Sequence, residues 1–523
     1  MAAPHPEFEL EICDDGGQGH PAPPPAALAT KVLTAEGRSK VRRLKVPLAL
    51  VATACVAVVC QAGADSKDSP PPPRVVIKNQ GFLPFAGEPI NYRSADLNDP
   101  IAQLEKRLER GEVSLSYEPR HGYLQSVLHA LHVPISSQTL VFSKTSFQSP
   151  QISPSTPRAL YFNDDVYVGQ VHDGKFLEFI SFDPRQGAIF YLVDDRQSDH
   201  PRFERAAIDC VQCHVAPSTR GVPGVLLRSV LTMTSGAPSA GAKSFITGQE
   251  SPLRERWGGW YVSALPGVKA GMGNATVSNP EHPDQLDEAA AADPAGLSAR
   301  LETSAYLTGS SDIVALMVLA HQTQMHNLIT QTNYRTRLAF ADEVRHKAAG
   351  LSAEAISGAF RKQVEYPGEQ LVRYLLFTNE ARLDGPVAGD TSFAREFAER
   401  GPFDSQGRCL RQFDLHTRIF KYPCSYLIYS QSFDAIPQPA KQYIYHRLFE
   451  VLSGADQSPE FSTLSPKDRR AIREILVDTK PGLPQEWQQL VQQRNSGYPA
   501  RPAVKLYSGS TGYEGASGAR VEK

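Results

Sequence analysis

The sequence predicts an α+β protein, with an antiparallel β-rich region followed by a mostly α-helical C-terminal region. Two observations lead there. Between residues 159 and 193, β-rich runs alternate with turn-forming Asp-Gly and Asp-Pro dipeptides. Beyond residue 301, apolar runs open on helix-capping residues.

The elements follow in order. Asp99-Pro100 starts a helix, with aspartate as N-cap and proline at the first helical position. Ile101, Leu104 and Leu108 form its apolar stripe, and Gly111 closes it. A second helix covers Tyr123 to Leu131. Three strands are predicted over Val166–Val171, Phe176–Phe182 and Ala188–Val193. They are joined by turns at His172–Lys175 and Asp183–Gly187, which makes an antiparallel meander. Trp257 to Ser263 reads as a further strand, and its glycines would permit close backbone approach. Residues 279–296 read as a loop. Ser311 or Asp312 caps an apolar helix running to about Thr332. Another runs from Pro439 to Leu452 and stops at Gly454. Ser465-Pro466-Lys467-Asp468 supplies cap, N1 proline and an acid at the positive end of the dipole.

Composition divides the chain further. Residues 1–37 are rich in proline and alanine and read as a disordered extension. Residues 38–64 read as a signal peptide or membrane anchor. Arg38, Lys40, Arg42, Arg43 and Lys45 form its basic part, Val46 to Cys60 its apolar run, and Ala62-Gly63-Ala64 its cleavage site. That run is shorter than the ~18 to 20 apolar residues of a membrane span, which favours cleavage. Membrane association through residues 46–60 is the alternative. Residues 65–73 form a linker ending in four prolines. Residues 74–300 are the mixed α/β region, 301–495 the mainly helical region, and 496–523 a disordered tail. Hydrophobic content of 41% and charged content of 21% describe an ordinary globular protein. A net charge of -2, with no basic stripe outside the leader, argues against nucleic acid.

Cys210-Val211-Gln212-Cys213-His214 carries the chemistry. In C-x-x-C-H each thiol can add to one porphyrin vinyl group, and the histidine turns back as iron ligand. A zinc site would need a second close pair of ligands, and no second C-x-x-C exists in the chain. A thioredoxin-like dithiol would sit at a strand-to-helix turn, and Arg205 to Asp209 is not a clear strand. The motif therefore implies one covalent haem c, held by Cys210, Cys213 and His214, and an oxidising compartment, the periplasm. There Cys409 and Cys424 would be able to pair.

The second axial ligand decides between electron transfer and an open, reactive site. Met272 lies in Ala270-Gly271-Met272-Gly273-Asn274, where flanking glycines leave it little reason to be core. His321 is the other candidate, on an apolar helix where Met325 shares its face and His326 points about 100° further round. His172, His129 and His132 are lesser candidates. Arg254 and Arg256 are candidates for the haem propionates, because a guanidinium fork matches a carboxylate.

The pentapeptide resembles that of c-type cytochromes. The stretches 161–275 and 408–452, including Phe420-Lys421-Tyr422-Pro423-Cys424-Ser425-Tyr426-Leu427, look like an uncharacterised group of large bacterial mono-haem proteins. That resemblance implies an exported c-type cytochrome in periplasmic electron transfer, with an unknown redox partner. It implies no assigned reaction. The alternatives are a haem enzyme with an open distal side, peroxidase-like or another oxidoreductase, and a haem-based sensor module.

Overall fold

Six antiparallel strands in chain order form the frame: β1 (Thr139–Val141), β2 (Arg158–Phe162), β3 (Val166–Gln170), β4 (Phe176–Asp183), β5 (Gly187–Asp194) and β6 (Glu204–Arg205). The computed structural model describes residues 82–487, apart from 242, 266–268, 270, 280, 283–284 and 287–296. The expected N-terminal extension, leader, linker and C-terminal tail lie outside the described residues. So does most of the expected loop at 279–296.

The register pairs Tyr161 with Val168, Val168 with Phe179, and Phe179 with Tyr191, so one row of side chains crosses the sheet. Side chains alternate between faces along a strand. Tyr161, Val168, Phe179, Ile189 and Tyr191 therefore point one way, into a core shared with Ile101, Leu104, Leu124 and Val127. Phe162, Tyr167, Phe182 and Phe190 point the other way, into the core of the helical region. The sheet is buried on both faces, which is why its strands read as near-continuous apolar runs.

The first face is covered by α1 (Pro100–Glu109) and α2 (Leu124–Ala130). Asp99 caps α1 by accepting from the Ile101 and Ala102 amides at 3.0 and 3.4 Å. Its second oxygen accepts from the Tyr191 hydroxyl at 2.8 Å, so the cap also docks the helix on the sheet.

The second face meets α4 (Ile313–Ala348), capped by Asp312 on the Val314 and Ala315 amides. The helix was expected to end near Thr332 and continues for four more turns. Every residue from Ile313 to Tyr334 is buried, and exposure begins only at Arg335. A helix buried all round is the centre of its domain. α5 (Ala353–Leu375), α8 (Gln438–Ser453) and α9 (Pro466–Thr479) pack in succession beside it, with the short α6 (Phe393–Glu399) and α7 (Gln431–Asp434) between them. One apolar cluster runs from Phe182 and Phe190 on the sheet through α4 to Ile472 and Trp487. The change of composition near residue 300 thus marks no break in the core, and the described residues form one compact unit.

Trp257 to Ser263 does not form the expected strand. Trp257 (φ 68°) and Gly259 (φ 78°) take left-handed backbone, which turns the chain. The segment docks on the end of β1 through single bridges. Tyr261 N donates to Leu140 O at 2.9 Å, and Phe142 N donates to Gly259 O at 2.8 Å. A Cβ at Gly259 would lie 2.7 Å from that of Ser143, so the close neighbour of this glycine is the chain just after β1.

Candidate haem-attachment site

β6 leads through Ala206 into α3 (Ala207–His214), a helix of eight residues that ends on the motif histidine, so the motif does follow a strand-to-helix turn, contrary to the expectation for Arg205 to Asp209. Ala206 N donates to Phe190 O at 2.9 Å, anchoring the start of α3 on β5. Cys210 and Cys213 stand three residues apart, on neighbouring positions of one helical face. Cys210 is half-buried and Cys213 exposed. Cys210 and Val211 pack on the helical-region core, and Val211 also touches the core on the other face.

Past His214 the chain loops and returns. Pro217–Thr219 form a 3-10 turn, Arg220 (φ 62°) and Gly221 (φ 73°) reverse it, and Pro223 O accepts from Ala188 N of β5. Gly224 N then donates to His214 O at 3.0 Å. The His214 ring lies 2.9 Å from Gly224 O through Nδ1. A carbonyl can only accept, so Nδ1 carries the proton and Nε2 keeps its lone pair. No described residue bonds Nε2. Metal-bound histidines share this arrangement, in which a backbone carbonyl fixes the tautomer and raises the basicity of the other nitrogen. Burial lowers the His214 pKa, against a smaller opposing effect of the Gly224 carbonyl, so the ring is neutral at pH 7. Phe190 flanks it at 4.9 Å between ring centroids. Asn327 of α4 fixes the return of the loop, accepting from Val225 N at 2.9 Å and donating to Val225 O at 2.7 Å.

The other candidates lie in different surroundings. Met272 was expected to be outside the core, yet it is buried against Leu231 and Val277. Its amide donates to Arg256 O at 2.9 Å. His321 is fully enclosed, with Nδ1 2.7 Å from Gln249 Oε1 and Nε2 2.8 Å from Ser425 Oγ. Its ring stacks on Phe377 at 4.5 Å and on Tyr374 at 5.5 Å. Both nitrogens are engaged, and burial pushes its pKa down to about 3. His326 bonds Asp164 O through Nε2 at 2.8 Å and stacks on Phe182 at 3.8 Å. His172 is partly exposed beside Asp173. His129 and His132 line a cleft of about 370 Å³ with Phe393, Glu396 and Arg400.

Arg254 is exposed on a 3-10 turn. Arg256 is buried, and its Nε and Nη2 donate to Ser251 O and Gln249 O at 2.8 and 3.0 Å. Gln249 thus joins Arg256 to His321, and Met272 adjoins them through Arg256. The structure brings these three together, and it brings Cys210, Cys213 and His214 together, as two separate groups. Cys409 and Cys424 are separate buried thiols. Cys409 donates to Ala398 O at 3.5 Å, and burial pushes the Cys424 thiol up to about 12.

Sequence reasoning missed Arg220, six residues after His214. Its Nε and Nη1 are buried without a partner. The only local signal was Arg220-Gly221, a dipeptide suited to reversing the chain.

Among the described residues no group of three or more His, Cys, Asp or Glu side chains is placed to hold a metal ion. No described helix is long and apolar enough to cross a membrane. No family model, no curated protein and no solved structure matches this chain, so every functional inference rests on its own residues.

Proposed function

We propose that this protein is an exported c-type cytochrome that carries one haem on Cys210 and Cys213, with His214 as axial ligand, and transfers electrons in the periplasm. The observation that carries the reading is the His214 imidazole. Its Nδ1–H is held by Gly224 O, and no described residue engages its Nε2 lone pair, beside two thiols on one helical face. The bound group supplies a one-electron iron couple. The chain supplies the rest. α3 sets the separation of the thiols, the reciprocal His214–Gly224 bonds orient the ring, and Phe190 with the two cores keeps water from its buried side.

A second reading, a haem enzyme or sensor with an open distal side, has one observation in its favour. His321 has both ring nitrogens engaged, and Met272 is packed among apolar side chains, so neither is presented as a sixth ligand. The spectrum of the purified haem-loaded protein separates the two. Sharp α and β bands on reduction are expected for a six-coordinate carrier. A high-spin ferric spectrum, with rapid carbon monoxide binding after reduction, would replace the first reading by the second.

A further inference from the structure

On α4 and the loop after α3, three side chains carry buried N–H atoms with no acceptor among the described residues: the partly buried Arg220 at Nε and Nη1, the partly buried Arg335 at Nε, and the buried Gln324 at Nε2. In Arg205 a bare Nε accompanies other nitrogens that bond the carbonyls of Tyr92 and Arg93. Arg220 and Arg335 make no side-chain hydrogen bond or ion pair with any described residue. Gln324 is only 5% exposed.

Two of these side chains, Gln324 and Arg335, stand on one strip of α4, about 16 Å apart along its axis. On α4, positions 324, 331 and 335 fall within about 40° of one another around the axis. Gln331 lies between the outer two, and its Nε2 donates to Arg220 O at 3.0 Å, which sets Arg220 against that strip. Asn327, one turn before Gln331, holds Val225 next to Gly224, the residue that orients His214. Tyr366 of α5 is close enough to act electrostatically on both guanidinium groups, and Glu250 and Tyr374 act on Arg220. None of these three bonds an Arg220 nitrogen.

In these three side chains the unmet atoms are donors, and two of the three groups are cations. Buried donors without acceptors are costly, and buried unpaired charges more so. The group that completes such a set is an anion with several acceptor oxygens, and a carboxylate matches the guanidinium fork. We propose that Arg220 and Arg335, with Gln324, form a carboxylate-binding site that receives the propionates of the haem attached at Cys210 and Cys213. This rests on the haem reading above. It gives Arg220 and Arg335 the role that sequence alone suggested for Arg254 and Arg256.

The test uses full-length protein matured in a host with the attachment machinery. Midpoint potential and the resonance Raman propionate-bending band are recorded for Arg220→Gln, Arg335→Gln and the double variant. A cation beside a propionate favours the reduced iron, so each variant shifts the potential downward, the double variant most, and moves the bending band. Arg220→Lys recovers part of the potential shift. Arg196→Gln, at a site 88% exposed, matches the parent. Arg335→Gln carries the test if Arg220→Gln does not fold. A shift seen without added anion assigns the carboxylates to the haem; a shift seen only after adding succinate assigns the site to a free carboxylate and overturns the proposal. Unchanged potential and band in haem-loaded variants overturn it too, while leaving the haem reading intact. A parent chain without covalent porphyrin overturns the haem reading itself.

Discussion

The loop after α3 and the middle of α4 each bury a histidine, but they complete its hydrogen bonding differently. Around His321, Gln249 and Ser425 use both ring nitrogens, and Gln249 and Ser425 are themselves tied to Tyr374 O and Leu427 N. Around His214 one nitrogen is spent on Gly224 and the other is not, and Arg220 nearby in the chain leaves two donors unmet. The first arrangement is what a core requires of a buried polar group. The second spends stability on groups that need something else. On the proposed reading, the unengaged Nε2 of His214 is the atom kept for a ligand, whereas the His321 network is complete in itself.

The largest effect expected from this contrast is all-or-none. The double variant Cys210→Ala, Cys213→Ala should lose all haem stain on a denaturing gel, while far-ultraviolet circular dichroism stays that of the parent. Retained stain would show that the thiols do not hold the cofactor.

Exchanging the two histidines sharpens the comparison. His321→Ala leaves Gln249 and Ser425 each short of a partner and opens a cavity, so it should cost about 3 kcal/mol in urea unfolding. Its haem spectrum should be unchanged. His214→Gly should do the reverse, altering the spectrum, which added imidazole restores, with a smaller loss of stability. The same spectral response from both variants would erase the distinction.

A third expectation concerns pH. Burial and the neighbouring Asp164 push Asp165 up to about 7. Its folded pKa lies above the unfolded value, so its contribution is full below about pH 4 and is lost as pH rises to about 7. Asp165→Asn removes that slope. Relative to the parent it should gain on the order of 2 kcal/mol at pH 8 compared with pH 4. A constant difference between the two proteins across that range would contradict the assignment.

Much of the frame was legible in the residues because its causes are local. The meander turns at Asp173-Gly174 and near Gly187, and the caps at Asp99, Asp312 and Ser465, act within a few positions of themselves. C-x-x-C-H is legible for the same reason. Trp257 to Ser263 was misread because β-rich composition does not reveal left-handed backbone at Trp257 and Gly259, which packing against β1 imposes. Met272 looked like a loop residue because its apolar partners Leu231 and Val277 are distant or unpatterned neighbours in sequence. Arg220 could not be singled out at all. A donor without an acceptor is a property of the folded surroundings, here of α4, more than a hundred residues further on.

The smallest effect is expected at Gly224. A Cβ there would collide with Asn327 Oδ1, so Gly224→Ala must displace Asn327, which holds Val225, or the neighbouring carbonyl that orients His214. Haem should stay attached, with a small change in its absorption maximum. An unaltered spectrum would separate the Gly224 bond from ligand orientation.

The central claim is most directly tested by intact-mass spectrometry of the denatured protein, matured where haem can be attached. The account predicts a single added porphyrin mass that survives unfolding and maps to the peptide containing Cys210 and Cys213. A denatured chain at its bare polypeptide mass, from a host that loads other cytochromes, would contradict it.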